Sequence, residues 1–125
     1  MVVKFGPSGI GSVKDIEETF RHYKKLGIRV AEIAFTYGVY IKDKETAEKV
    51  KKAAEKFGIE LSVHAPYWIN LNSEDKEKEA ASKKRILRAA EIGHLLGAKK
   101  VVFHAGYLGK LSREETYENI KEAIK

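Results

Sequence analysis

The sequence predicts an α/β fold of four parallel βα units, and three observations carry that reading. The hydrophobic pattern switches between strand and helix periods four times along the chain. Three helical stretches close on glycine and pass at once into a β-rich run, at Leu26-Gly27-Ile28, Phe57-Gly58-Ile59 and Leu96-Gly97-Ala98. Two of the strands end in the same pattern, His64-Ala65-Pro66-Tyr67 and His104-Ala105-Gly106-Tyr107. Glycine at the position after a helix adopts the left-handed conformation that turns the chain back. Strands joined through helices run parallel, with right-handed crossovers.

Taken in order, Val2 to Phe5 reads as a short strand. Ser12 caps a first helix with Asp15 as its capping-box partner, and the apolar stripe is Val13, Ile16, Phe20 and Tyr23. Val30 to Phe35 is the second strand, and the loop Thr36-Tyr37-Gly38-Val39-Tyr40 leads to a helix from Asp43 to Phe57. Glu60 to Val63 is the third strand. After the loop Pro66 to Asn72, a helix starts near Ser73 and runs to Leu96. Lys100 to Phe103 is the fourth strand, and Ser112 with Glu115 forms a capping box opening a last helix that reaches Lys125.

Four such units make either an open doubly wound sheet or half of an eight-fold barrel. A full barrel takes about 200 to 250 residues, and this chain has 125. Against a nucleotide-binding sheet stands the missing phosphate loop: Gly6-Pro7-Ser8-Gly9-Ile10-Gly11 matches neither glycine-rich pattern. The length allows one domain, residues 1–125, with a core of its own. No twenty-residue apolar span and no signal-peptide pattern occur, so a cytoplasmic protein with no membrane partner is expected. The absence of cysteine excludes disulfides, thiolate metal sites and cysteine catalysis. Gln is absent, Asn occurs only at 70, 72 and 119, and Lys and Glu abound, a composition that leans towards a thermophile. The net charge of +6 suits a polyanion, but most lysines lie among glutamates on helices, as solvated faces do.

His64 and His104 each end a buried strand, where α/β folds gather ligands and catalytic groups. Imidazoles on adjacent parallel strands lie roughly 5 Å apart. They either ligate metal or phosphate, or cap the core through hydrogen bonds to backbone. His22 lies opposite the stripe of its helix and is expected in solvent; His94, beside Leu87 and Ala90, is expected packed or at a boundary. Tyr67, Trp68 and Ile69 are consecutive bulky residues in a loop beside a strand-end histidine. Such a group either folds back on the scaffold or stacks on, or wedges into, a planar ligand such as a nucleobase. Tyr37 in the neighbouring loop extends the same surface. Glu32 sits mid-strand, where a charge needs a partner: a lysine or histidine, solvent at an edge, or use as a metal ligand or base.

The blocks His64-Ala65-Pro66-Tyr67-Trp68-Ile69-Asn70-Leu71-Asn72 and Val101-Val102-Phe103-His104-Ala105-Gly106-Tyr107 resemble endonuclease IV. That is the zinc-dependent apurinic/apyrimidinic endonuclease family within the xylose-isomerase-like TIM barrels, and the archaeal branch looks most similar. Phe5-Gly6-Pro7-Ser8-Gly9 and Arg85-Ile86-Leu87-Arg88-Ala89-Ala90 fit the same pattern, so the resemblance spans essentially the whole chain. It implies that His64 and His104 are zinc ligands, that Tyr67 and Trp68 enter the duplex at the lesion, and that Asn70 belongs to the same DNA-contacting loop. Tyr37 and Tyr107 border that surface. The implied reaction is zinc-dependent hydrolysis of the phosphodiester 5′ to an abasic site.

Family members draw further histidines and carboxylates from later strands, beginning with a glutamate at the fifth, and this chain contains none of them. The resemblance therefore implies a half TIM barrel, (βα)4, whose first and fourth strands are open edges and whose inner layer is apolar and faces water. Two copies paired edge to edge would close eight strands, so a homodimer or higher assembly is expected. Two further functions stand beside the endonuclease: a sugar isomerase or epimerase of the same superfamily, with Glu32 as its strand carboxylate, and a non-catalytic self-assembling scaffold.

Overall fold

In a computed structural model, which describes residues 2–125, the chain folds as an open partial βα barrel. Met1, part of the expected domain span, lies outside the described residues. A 3-10 turn, Val13–Asp15, leads into α1 (Ile16–Lys25), and then β1 (Val30–Ala34), α2 (Lys44–Phe57), β2 (Glu60–His64), α3 (Lys76–Leu95), β3 (Val101–Val102) and α4 (Arg113–Ile124) follow in order. The three strands form one parallel sheet in the order β1-β2-β3. Ala34 lies opposite His64, and His64 opposite Val102.

The expected first strand at Val2 to Phe5 is not formed: Val2, Val3 and Phe5 are exposed. The chain meets β1 later, at a single bridge between Ser8 and Glu32. Glu32 N donates to Pro7 O at 3.0 Å, and Gly9 N donates to Glu32 O at 2.8 Å. Pro7 has no N–H with which to extend a ladder. Gly6 passes so close to β1 that a Cβ there would stand 1.9 Å from Val30 O, so only glycine fits.

The helix starts follow local hydrogen bonding. Ser12 Oγ accepts from Lys14 N at 3.2 Å rather than forming a box with Asp15, and the chain enters α1 through the 3-10 turn. α2 starts one residue after the expected Asp43, which is instead its cap and accepts from Thr46 N, and Gly58 closes the helix at φ 68°. α3 starts later than Ser73, because Asp75 takes the cap and accepts from Glu77 N and Lys78 N. The Ser112–Glu115 capping box opens α4 as expected.

The period-2 alternation of the strands divides the sheet into two faces. Ala31, Ile33, Leu61 and Val63 are buried under the helices with Phe20, Val50 and Ile92. On the inner face, Val30, Glu32, Ala34, Ser62 and His64 are half-buried and Val102 is exposed. The expected apolar inner layer is thus a mixed one, since Glu32, Ser62 and His64 occupy inward positions of β1 and β2.

Two further expectations change. β3 is two residues long rather than four, as befits an edge strand supported from one side among the described residues. His94 is exposed, as is Leu87. α3 turns Ala89, Ile92 and Gly93 to the sheet instead, and Gly93 lies so close that a Cβ there would be 3.1 Å from Val63 Cγ2. His22 is exposed, as its position predicts. No helix of the described residues is long and apolar enough to cross a membrane.

Candidate metal and nucleic-acid site

The sheet register brings the two strand-end histidines together, though not as equivalent partners. His64 lies opposite Val102, so His104 stands two residues farther along. An even offset keeps both side chains on the inner face. Their ring centroids are 5.1 Å apart with planes at 50°. His64 is half-buried, and its Nδ1 lies 2.9 Å from Ala65 O. A carbonyl only accepts, so in the neutral ring Nδ1 carries the proton and Nε2 offers the lone pair that a metal takes. His104 is exposed.

Tyr67 closes one side of the pair, its ring centroid 6.1 Å from that of His104 and edge-on. Trp68 follows, perpendicular to Tyr67 at 6.2 Å. Both rings are more than half exposed, while Ile69 and Leu71 of the same loop are buried anchors. The backbone between is tied on both sides: Tyr67 N donates to Thr36 O (3.0 Å), Leu71 N to Ala105 O (2.8 Å), and Arg85 Nη1 to Trp68 O (3.0 Å). The two aromatics are therefore presented by a fixed loop rather than folded back onto the scaffold.

Asn70 is part of that fixing. Its Oδ1 accepts from Asn72 N (3.1 Å) and Tyr107 N (3.3 Å), and its own N donates to Ser82 Oγ (2.9 Å). Asn72, which the sequence reading passed over, does as much: its Nδ2 donates to Tyr107 O (2.8 Å) and Thr116 Oγ1 (3.2 Å), and its Oδ1 accepts from Asn119 Nδ2 (3.0 Å). All the asparagines of the chain, at 70, 72 and 119, thus lie in this corner. Their scarcity elsewhere was the available signal.

Tyr107 is exposed beside the clamp and Tyr37 is exposed in the loop after β1. Tyr40 packs edge-on against Phe35 at 5.3 Å, and burial pushes its phenol pKa up. Among the described residues, Glu32 meets neither lysine nor histidine: Ser8 Oγ donates to Glu32 Oε1 at 2.7 Å. Among the described residues, no group of three or more histidine, aspartate or glutamate side chains is placed to hold a metal ion. The histidine pair supplies two neutral nitrogen donors of the kind zinc prefers, where a catalytic zinc takes three protein ligands. The donors present fit the metal as part of a set.

The family model for the xylose isomerase-like TIM barrel matches residues 20–125. An uncharacterised protein of Methanocaldococcus jannaschii is 39% identical over 121 residues, covering 96% of this chain and 43% of its own length. A probable endonuclease 4 of Aquifex aeolicus is 28% identical over 122 residues, covering 92% of this chain and 42% of its own. Among solved structures, endonuclease IV of Thermus thermophilus superposes with a TM-score of 0.69 at 22% identity, over 94% of this chain and 44% of that one. A D-psicose 3-epimerase of Clostridium cellulolyticum gives 0.71 at 19% identity, over 88% and 40%. The chain spans less than half the length of the curated relatives it matches.

Proposed function

Because the chain belongs to the xylose isomerase-like TIM barrel family, we propose that it carries the zinc-binding, lesion-recognising half of an endonuclease IV-type phosphodiesterase acting on abasic DNA. The observation that carries this reading is the convergence of His64, His104 and Tyr67 on the inner face at the strand ends, with Trp68 projecting beside them. The 28% identity to a probable endonuclease 4 supports the same direction.

In this reading His64 and His104 hold zinc through nitrogen lone pairs, and the Ala65 carbonyl fixes the tautomer of His64. Zinc, when bound, supplies the Lewis acidity that phosphodiester hydrolysis needs. Tyr67 and Trp68 wedge into the duplex where a base is missing, the place where unstacking costs least. Tyr37 and Tyr107 flank them, and Asn70 offers its Nδ2 to the DNA while its Oδ1 holds the loop. The remaining metal ligands come from the βα units that close the barrel. Two copies of this chain joined along their open sheet edges bring four strand-end histidines to one mouth.

The test compares the zinc content of the purified chain with that of a His64→Ala/His104→Ala double variant. Zinc in the first and none in the second is expected; equal contents sink the ligand assignment. Tighter binding of an abasic duplex than of an intact one, with any cleavage abolished by EDTA, is expected alongside. Sedimentation at rising concentration should show a dimer, and a monodisperse monomer overturns the paired-copy closure. A sugar epimerase is the second reading. It is favoured by one feature, the carboxylate of Glu32 on the same inner face, and ketohexose epimerisation lost in Glu32→Gln would carry it instead.

A further inference from the structure

A groove of about 450 Å³ opens beside the Tyr67–Trp68 loop, between the loop that follows β1 and the flank of α3. Tyr37 and Trp68 are its aromatic walls, and Lys42, Lys84, Arg85 and Arg88 provide its charge. It differs in kind from the other concavities of the surface. The groove between α3 and α4 mixes Lys76 and Lys83 with Glu74, Glu79 and Glu122, and the one below the sheet sets Lys4 against Glu60. Among the described residues, no carboxylate lines the groove at Trp68.

The cations there are arranged rather than scattered. Lys84, Arg85 and Arg88 share one side of α3 at helical spacing. Arg85 Nη1 donates to Trp68 O (3.0 Å) and Arg88 Nη2 to Lys42 O (3.0 Å), so each guanidinium ties one bank of the groove to the helix. Arg88 also meets Glu91 at 3.2 Å, which leaves its charge partly answered. Loop Lys42 and helix Lys84 make no side-chain hydrogen bond or ion pair among the described residues, whereas Lys76 and Lys83 of the neighbouring groove both pair with Glu79. A carboxylate-free groove with two unanswered ammonium groups, two partly used guanidiniums and two exposed rings favours a repeating anion with planar groups attached.

We infer that this groove is a second binding site, which takes the phosphodiester backbone of duplex DNA flanking the nucleotide presented at the histidine pair. The inference rests on the DNA reading above and extends it to residues that reading does not use. Lys42 and Lys84 neutralise successive phosphates, and Arg85 and Arg88 hold the banks while their remaining N–H groups face the same strand. Contacts of this class position the duplex without reading its sequence, and each one releases counterions.

The test is a salt titration of binding to an intact duplex and to a duplex carrying an abasic-site analogue. The chain itself, a Lys42→Ala/Lys84→Ala variant and a Lys24→Ala/Lys25→Ala variant are compared. The last removes the same charge from the final turn of α1, at the opposite end of the strands. Loss of two phosphate contacts should lower the slope of log affinity against log salt by about 1.8. That fall is expected for Lys42→Ala/Lys84→Ala on both duplexes, with the preference for the abasic duplex kept and circular dichroism unchanged. An equal fall in both variants, or none in either, overturns the groove. A preserved abasic preference with no change of slope sinks the groove alone. A fall in slope without any abasic preference keeps the groove and sinks the lesion-recognition reading.

Discussion

The two His-Ala-x-Tyr units share a sequence pattern and differ in how firmly the fold holds them. The first ends β2, and its ladder continues on both sides: Phe35 N donates to His64 O (2.9 Å) and Ala65 N to Val102 O (2.8 Å). The second lies just beyond β3, whose only strand neighbour among the described residues is β2. His64 is accordingly half-buried with its tautomer fixed, whereas His104 is exposed and meets the rings of His64 and Tyr67. The third position separates them again. Pro66 is buried in the first unit, while Gly106 in the second lies where a Cβ would stand 2.6 Å from Asn70 Oδ1. A motif decides which chemistry is available; the neighbouring strands decide whether it is held in place.

The largest expected effect of that asymmetry lies in the sheet itself. Leu61 of β2 is buried and Val102 of β3 is not. Leu61→Ala should destabilise by about 2–5 kcal/mol, and Val102→Ala should stay within about 0.5 kcal/mol, read from urea unfolding midpoints at constant m. Equal losses would mean that β3 is as well supported as β2, and the contrast would fail. The proposed zinc site sharpens the same contrast. His64→Ala should weaken zinc binding more than His104→Ala, by roughly tenfold, the size of effect an orienting hydrogen bond gives a ligand. Competition with a chromogenic chelator measures both, and the reverse order would place the firmer ligand on the edge strand.

The third position gives a smaller effect. Gly106→Ala pushes Asn70 Oδ1 off Tyr107 N and Asn72 N, and should cost about 1–3 kcal/mol, the usual range for overpacking. Pro66→Ala removes a conformational restriction and should cost less, about 0.4–1 kcal/mol. Unfolding of the two variants side by side decides it. A harmless Gly106→Ala would show that the asparagine clamp yields without loss.

Most of the fold was legible because each signal for it is local. Glycine after a helix and the Ser112–Glu115 box act within one or two turns, and each was found where the sequence puts it. Two helix starts shifted locally, at Ser12 and Asp75, but the larger failures are long-range. Val2 to Phe5 has strand composition, yet Gly6 and Pro7 move the meeting with β1 downstream. His94 was expected packed or at a boundary by helical spacing, yet α3 turns Ala89, Ile92 and Gly93 to the sheet and leaves it exposed. At the site, the proximity of His64 and His104 followed from strand order alone. The two-residue offset between them needed the register, which a repeated motif conceals. The asparagine clamp joins residues 35 to 47 positions apart, and no periodicity announces such a contact.

The smallest expected effect separates the helices that follow the two units. α3 buries Ser82, Ala89, Ile92 and Gly93 along its length, whereas α4 buries only Thr116 among the described residues and depends more on its cap. Glu115 is the titrating part of that cap. Hydrogen bonds from Ser112 N and Ser112 Oγ hold its carboxyl below the ordinary value of 4.5. A folded-state pKa below the unfolded one means that the contribution is present above pH 4.5 and is lost as pH falls through the lowered value. The first turn of α4 should therefore loosen under acid, seen as a shift of the Ser112 amide resonance, before α3 changes. Glu115→Gln should remove that acid-dependent shift while leaving α3 unaffected. If the amides of Ser112 and Lys78 shift together in both proteins, the two units share one cooperative transition and differ only at their strand ends.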